Sequence, residues 1–449
     1  MRKLTVQAII ATMPNYTLRK QVKKLIPKKV FKAVERPGHL AESIVYSARN
    51  GFAGRKMRFI GVTGTNGKTT TTNMIFAILR AAGYKVALFS STSYGYLDDI
   101  RDEATHMTTV PAPILQKRLR EFADKGAEWV VIEMSSHALA QSRGWGLPFE
   151  IGVMTNVTHE HLDYHGSMER YREDKRKLFQ LVSKSPRGFG VVYAEDPSAE
   201  LFLSTVASGV SYGVTRGDMK ASDIVLGRDS SACTATIGTD TYHLTVNMPG
   251  EFNLQNAMAA VLVARHLGIE TKTIEDGIAS LEGVYCRMMP IREGQPWRAI
   301  VDYGGTPDAF EKLFAALRPT TPGKLVVVFG SPAERDRLKR PIQGEIAARW
   351  CDEVIITEEE NRHEPGDTIL EEIAVGAEKA GKVRGRNLFL IAKRDEAIEF
   401  AMTRVNTADD TVVATGKGNE QTIERGDQKL PWNEPEVVRT AIKKALNVQ

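Results

Sequence analysis

The segment Gly61–Thr72 reads GVTGTNGKTTTT and directly follows the short apolar run Met57, Phe59 and Ile60. A strand, a glycine-rich turn and a helix are expected there, opening the largest domain. Glycines at 61, 64 and 67 let backbone N–H groups turn inward around an anion, Lys68 adds a point charge, and the Thr69 hydroxyl suits Mg²⁺. ATP is the ligand this geometry indicates. The spacing is G-x-x-G-x-x-G-K-T, with Val62 where the strict Walker form has glycine. The competing reading is a chance Gly/Thr-rich turn, but Gly-Lys-Thr after a strand rarely occurs without a phosphate.

A chain of 449 residues with 42% apolar and 26% charged residues is long enough for two to four globular domains with sizeable cores. Cys233, Cys286 and Cys351 lie far apart and form no C-x-x-C pair, so neither a disulfide framework nor a zinc site is indicated. No apolar run is long enough for a membrane-spanning helix, and the start lacks the pattern of a signal peptide. The chain is therefore expected to be cytoplasmic.

The net charge of +5 conceals an asymmetry: residues 1–58 hold 14 Lys/Arg against only Glu35 and Glu42, so the remainder is acidic. Val22, Leu25 and Ile26, then Val30, Phe31 and Val34, fall at helical spacings among lysines, interrupted by Pro27. Two readings stay open: a basic amphipathic helix lying on an anionic membrane surface, peripheral to its inner face, and a solvated helix packed on the next domain.

From Arg58 onward, apolar runs at Lys85–Phe89, Trp129–Glu133, Ile151–Thr155 and Gly190–Tyr193 alternate with amphipathic stretches, which argues for an α/β fold with a mostly parallel sheet. A polar, β-branched stretch near Ser222–Val246 reads as an antiparallel insertion or edge, ahead of a helix from about Asn253 to Leu267. A second α/β series has strands at Arg298–Asp302, Leu325–Phe329, Glu353–Thr357, Asn387–Ile391 and Thr411–Ala414. The expected organisation is a short basic segment (1–57), a central nucleotide-binding domain (58–291) and a C-terminal Rossmann-like domain (292–449).

Glu133 ends an apolar strand in WVVIEMSSHAL, at the edge where ligands sit in open α/β sheets, and suits Mg²⁺. The segment TNVTHEHLDYHG offers His159, His161 and His165 after a further strand, a crowding that favours a metal or phosphate role over a structural one.

GVTGTNGKTTT, EMSSHALAQSR, TNVTHEHLDYHGSMERYREDKRKLF, GEFNLQNAMAA, GVYCRM and VDYGGTPDAFEKL, in this order, resemble the Mur ligases, and among them the tripeptide synthetases that add the third residue of the peptidoglycan stem peptide. The resemblance covers about residues 58–449. It implies an ATP-dependent, ADP-forming ligase that joins a carboxylate to an amino acid's amine through an acyl phosphate. It places Gly64, Thr65, Asn66, Gly67, Lys68, Thr69 and Thr70 around the phosphates. Thr69, Glu133 and His161 would hold Mg²⁺, and Lys175 in YREDKRKLF would join them as a carbamate. Lys68, Glu133, His161 and Lys175 are thereby the catalytic set. Asn256, Arg287 and Asp302 would meet the nucleotide. Thr108, Thr109, Ser135, Ser136, Gln141 and Arg143 would hold the acceptor, and Arg362, Gly416, Lys417 and Glu420 the incoming amino acid.

The chain departs from the family pattern in four places. Only some 58 residues precede the phosphate loop, where the family has a uridine-binding domain, so a lipid-linked cell-wall precursor is an alternative to a free small-molecule acceptor. Tyr303-Gly304-Gly305-Thr306-Pro307 lacks the family's histidine in this element, and Ser331-Pro332-Ala333 interrupts a glycine-rich loop. Glu359-Glu360-Asn361-Arg362 replaces the Asp-Asn-Pro-Arg signature of diaminopimelate-adding members; its arginine suits a second carboxylate. A ligase acting on a non-murein acceptor, a folate-type glutamate ligase and a nucleotide-binding scaffold without turnover are the alternatives. No nucleic-acid partner is indicated.

Overall fold

The computed structural model describes residues 28–448 except residue 106, with side chains described from Arg36 to Asn447. Val22, Leu25, Ile26 and Pro27 lie outside the described residues. A helix runs Lys28–Arg49 and tolerates Pro37 in its interior. Two compact units emerge, each discontinuous in sequence: Met1–Val157 with Glu169–Lys220 and Met258–Gly277, and Thr158–Met168 with Ala221–Ala257 and Ile278–Gln449.

In the first unit β1 (Arg58–Thr63), β2 (Val86–Phe89), β3 (Ser93–Tyr96), β4 (Asp99–Asp102), β5 (Trp129–Glu133), β6 (Phe149–Met154), β7 (Phe189–Tyr193) and β8 (Gly209–Gly213) lie in the order β8-β7-β6-β1-β5-β2-β3-β4. β1 runs parallel to both β5 and β6, and β5 parallel to β2. Past Arg58 the middle strands β1, β5 and β6 are buried, with Phe59, Ile60, Val62, Val130, Val131, Ile132 and Val153 at most 1% exposed. Both faces are covered, so these strands read as continuous apolar runs. Each such side chain contributes about 1.5–3 kcal/mol on burial. The hairpin-like continuation β2-β3-β4 is antiparallel, an edge that the apolar pattern did not reveal because SYGY and DIRD are short and polar.

The second unit takes up the end of β9 (Met219–Leu226) and the antiparallel pair β10 (Ser231–Ile237) and β11 (Asp240–Val246). The polar stretch is thus antiparallel, as expected. Its main sheet has β12 (Met289–Ile291), β13 (Arg298–Val301), β14 (Leu325–Phe329), β15 (Glu353–Ile356), β16 (Leu388–Leu390) and β17 (Thr411–Ala414) in the order β12-β13-β17-β14-β15-β16. All neighbours are parallel except β12 with β13. One face packs on Phe310, Phe314, Ile346 and Ile373, the other on Ile398, Met402, Val438 and Ile442. A small hairpin of β18 (Thr422–Arg425) and β19 (Gln428–Pro431) follows the Gly416-Lys417-Gly418 turn. Among the described residues no helix is long and apolar enough to cross a membrane.

Candidate active site

The phosphate loop leaves the carboxyl end of β1 and feeds the helix Lys68–Ala81, whose N-cap Gly67 has φ 86°. Gly64 has φ 151°, and a Cβ there would lie 1.9 Å from Thr155 Oγ1. Only glycine fits. The loop is tied to the neighbouring strand end: Thr155 Oγ1 donates to Asn66 O at 2.6 Å, Asn66 N donates to Asn156 Oδ1 at 2.9 Å, and Thr65 N donates to Asn156 O at 2.8 Å. Thr155 and Asn156 follow β6 and were not singled out from the sequence, although the strand-end rule that pointed to Glu133 applies equally to them.

Two lysines converge on this loop. Lys68 Nζ donates to Gly64 O at 3.1 Å and to Thr65 O at 2.8 Å. Lys175, only 2% exposed, comes from the helix Met168–Val182 and donates to the same Gly64 O at 2.5 Å, with Nζ 4.4 Å from the centre of the Tyr171 ring. The Tyr171 hydroxyl lies 3.0 Å from Thr65 Oγ1. Thr70 is buried in the first helical turn.

Glu133 is fully buried at the end of β5, where its Oε1 accepts from Ser91 N at 2.6 Å; Ser91 Oγ in turn lies 2.8 Å from Thr69 Oγ1. The loop, the hydroxyl and the carboxylate therefore meet at adjacent strand ends, joined through Ser91, which the sequence reading missed.

The residues matched to the acceptor form one cluster beside them. Thr109 Oγ1 donates to Glu133 O at 2.8 Å and accepts from Ser135 N at 3.0 Å. Ser135 caps the helix Ser136–Ala140 by accepting from Ala138 N at 3.2 Å. Arg143 donates to Thr109 O, and its guanidinium reaches Gln141 Oε1 at 2.6 and 3.1 Å. Ser136 is buried and Thr108 half-buried.

The three histidines separate in role, all within the second unit. His159 Nε2 lies 2.9 Å from Asp336 Oδ2, and His165 is buried with its ring edge-on to Tyr164. His161 adopts a left-handed φ of 55°, caps the short helix Leu162–His165 and lies 3.7 Å from Glu160 Oε2.

Also in the second unit, Asp302 accepts from Met288 N at 2.8 Å and Gly304 N at 2.6 Å. Burial pushes its carboxyl above the usual range against the opposing pull of Arg287. The Arg287 guanidinium lies 4.6 Å from the centre of the Tyr303 ring. Asn256 is buried, with Nδ2 3.3 Å from Asn253 Oδ1.

The remaining matched residues meet at the turn after β17. Lys417 is fully buried and bridges Glu360 Oε1 at 2.8 Å and Glu420 Oε2 at 2.5 Å. Arg362, with φ 42°, lies 3.2 Å from both Glu360 Oε2 and Glu424 Oε2. Gly416 has φ 100°, and a Cβ there would come within 2.7 Å of Glu359 Oε2.

Comparison with known proteins agrees with this architecture. The Mur ligase middle domain matches residues 62–264, and the Mur ligase glutamate ligase domain matches residues 286–418. A UDP-N-acetylmuramyl-tripeptide synthetase of Roseiflexus sp. is 39% identical over 406 residues, covering 87% of this chain and 80% of that protein. The chain belongs to the Mur ligase family. It is accordingly an ATP-dependent, ADP-forming amide ligase. A UDP-N-acetylmuramoyl-L-alanyl-D-glutamate–2,6-diaminopimelate ligase of Syntrophomonas wolfei is 35% identical to this Mur ligase, over 87% of this chain and 79% of its own. A solved structure of a ligase of that same name aligns with a TM-score of 0.61 at 29% identity, over 92% of this chain and 83% of that one. A MurF ligase from Thermotoga maritima in complex with ADP shares the fold, with a TM-score of 0.69 at 20% identity, over 91% and 84% of the two chains.

Proposed function

We propose that this Mur ligase adds the third stem-peptide residue to a UDP-muramoyl-dipeptide in peptidoglycan synthesis. The observation that most supports this reading is the placement of Lys68, Thr69 and Glu133 at neighbouring strand ends, beside the Thr109-Ser135-Gln141-Arg143 cluster. A polyanion in the loop and a carboxylate on the acceptor cluster would lie on either side of Glu133.

In the reaction, the acceptor's carboxylate oxygen attacks the γ-phosphorus of ATP, forming an acyl phosphate as the bond to ADP breaks. The amino acid's neutral amine then attacks the acyl carbon, phosphate leaves with the bonding electron pair, and the amine's proton passes to solvent or a base. Lys68 would hold the β/γ-phosphates, and the loop's backbone N–H groups would fix the line of transfer, since phosphoryl transfer depends mostly on positioning and electrostatics.

Thr69 and Glu133 suit Mg²⁺. Among the described residues no three His, Cys, Asp or Glu side chains form a ready cage, and this ion is commonly bound by one or two protein ligands together with substrate phosphates. It would neutralise charge on the transferring group. His161 keeps a proposed metal role from the family resemblance. Lys175 is proposed to carry a carbamate, an anion long enough to serve a metal where the present amine serves Gly64 O.

Mass spectrometry of the product formed from UDP-muramoyl-dipeptide, ATP and a mixture of lysine and diaminopimelate tests the function. A product lengthened by one amino acid is expected, and none from this acceptor would reject it. The lipid-linked acceptor and membrane contact remain attached to residues 1–57. Co-sedimentation of the protein with anionic vesicles that falls with salt, and falls further when Lys20, Lys23 and Lys24 are changed to Gln, would support that contact; equal binding to neutral vesicles would reject it.

A further inference from the structure

The residues matched to the incoming amino acid sit in a dense network of ion pairs. Arg362 is held by Glu360 and Glu424, and Lys417 by Glu360 and Glu420. Beside them Arg425 pairs with Glu358, and fully buried Arg394 pairs with fully buried Glu434 at 2.5 Å. Each of these cations already faces a carboxylate. Glu359 is different. The residue is only 6% exposed, and its Oε2 has no hydrogen-bond donor while lying over the bare face of Gly416. Asn361 Oδ1, two residues on, is a second buried acceptor without a donor.

We infer that the incoming amino acid carries a cationic side chain and no second carboxylate, with Glu359 as the residue that selects it. The inference rests on the assignment of Arg362, Gly416, Lys417 and Glu420 to the amino-acid pocket. The α-amino and α-carboxylate groups are common to every candidate, so the side-chain end decides. A side-chain ammonium supplies the donors that Glu359 Oε2 lacks, and an unsatisfied buried polar group is costly. A second carboxylate would instead have to displace Glu360 or Glu424 from Arg362. Replacing the signature Asp-Asn by Glu359-Glu360 therefore changes more than length: Glu360 bridges the two cations, Arg362 and Lys417, and Glu359 Oε2 is left without a donor. Burial also pushes the Glu359 carboxyl up to about 7, against the pull of Lys339, Lys417 and Arg394.

Calorimetric titration of the full chain with lysine, norleucine and diaminopimelate, with no acceptor present, tests this directly. Lysine should bind at least about tenfold tighter than norleucine, the uncharged analogue of similar shape, and tighter than diaminopimelate. Glu359→Gln should erase the lysine-over-norleucine difference with no fall in melting temperature. Glu424→Gln, on the β18–β19 hairpin, should release part of Arg362 and improve diaminopimelate binding several-fold. Tighter binding of diaminopimelate, equal binding of norleucine, or a full lysine preference in Glu359→Gln would overturn the inference. Lysine preference in binding, combined with no product from UDP-muramoyl-dipeptide, would uphold it and defeat only the acceptor assignment.

Discussion

Lys175 Nζ and the carbonyl oxygen of Gly64 are 2.5 Å apart, so a lysine 111 residues downstream holds the phosphate loop at its most constrained glycine. This places one side chain in two relations at once: a structural hold on the loop and a proposed carbamate. Lys175→Ala should lower turnover at least about a hundredfold, the scale of losing one preorganised charge. Partial rescue by short carboxylic acids separates the carbamate from a purely structural hold, and full activity without rescue would contradict both.

Gly64→Ala should abolish nucleotide binding. The added methyl would overlap Thr155 Oγ1, and φ 151° is costly for any residue with a Cβ, so about 1–3 kcal/mol of stability should also be lost. Titration with ADP and a thermal melt would check both; binding within twofold of the parent would show that the loop can relax.

Amino-acid binding should depend on pH through Glu359. Its carboxyl lies over Gly416 and is pushed from 4.5 up to about 7 by burial, with Lys339, Lys417 and Arg394 opposing and Glu420 adding to the rise. An acid whose folded value is raised favours the native state while protonated. Its contribution is therefore fully present below about 4.5 and lost as pH rises from there through 7. Conversely, lysine should bind more tightly as pH rises from 6 to 8, because the charged form is the better partner. A flat profile, or one unchanged by Glu359→Gln, would remove Glu359 from this role.

Arg394→Met should cost about 3–5 kcal/mol, because it leaves Glu434 buried without its cationic partner and with only Trp432 Nε1 donating to it. The double change Arg394→Met with Glu434→Leu should recover much of that loss. Chemical denaturation of both variants measures it, and a single change costing under about 1 kcal/mol would show that Glu434 finds another donor or takes a proton.

The local features of this protein were determined by the sequence alone. Continuous apolar runs specified the buried strands β1, β5 and β14, because a strand covered on both faces has no polar side to mark. Gly64, Gly67, Lys68 and Thr69 announced the loop because few other residues accept those backbone angles and supply that chemistry. Partnership was another matter. That Ser91 links Thr69 to Glu133, that Thr155 and Asn156 brace the loop, and that Lys175 reaches Gly64 follow from strand order, which brings the ends of β1, β2, β5 and β6 together from distant parts of the chain. The charge balance around Arg362 was equally hidden. Its guanidinium suits a carboxylate by type, but only the packing of Glu360 beside it and Glu424 on a hairpin some sixty residues later decided that the carboxylates it meets belong to the protein itself.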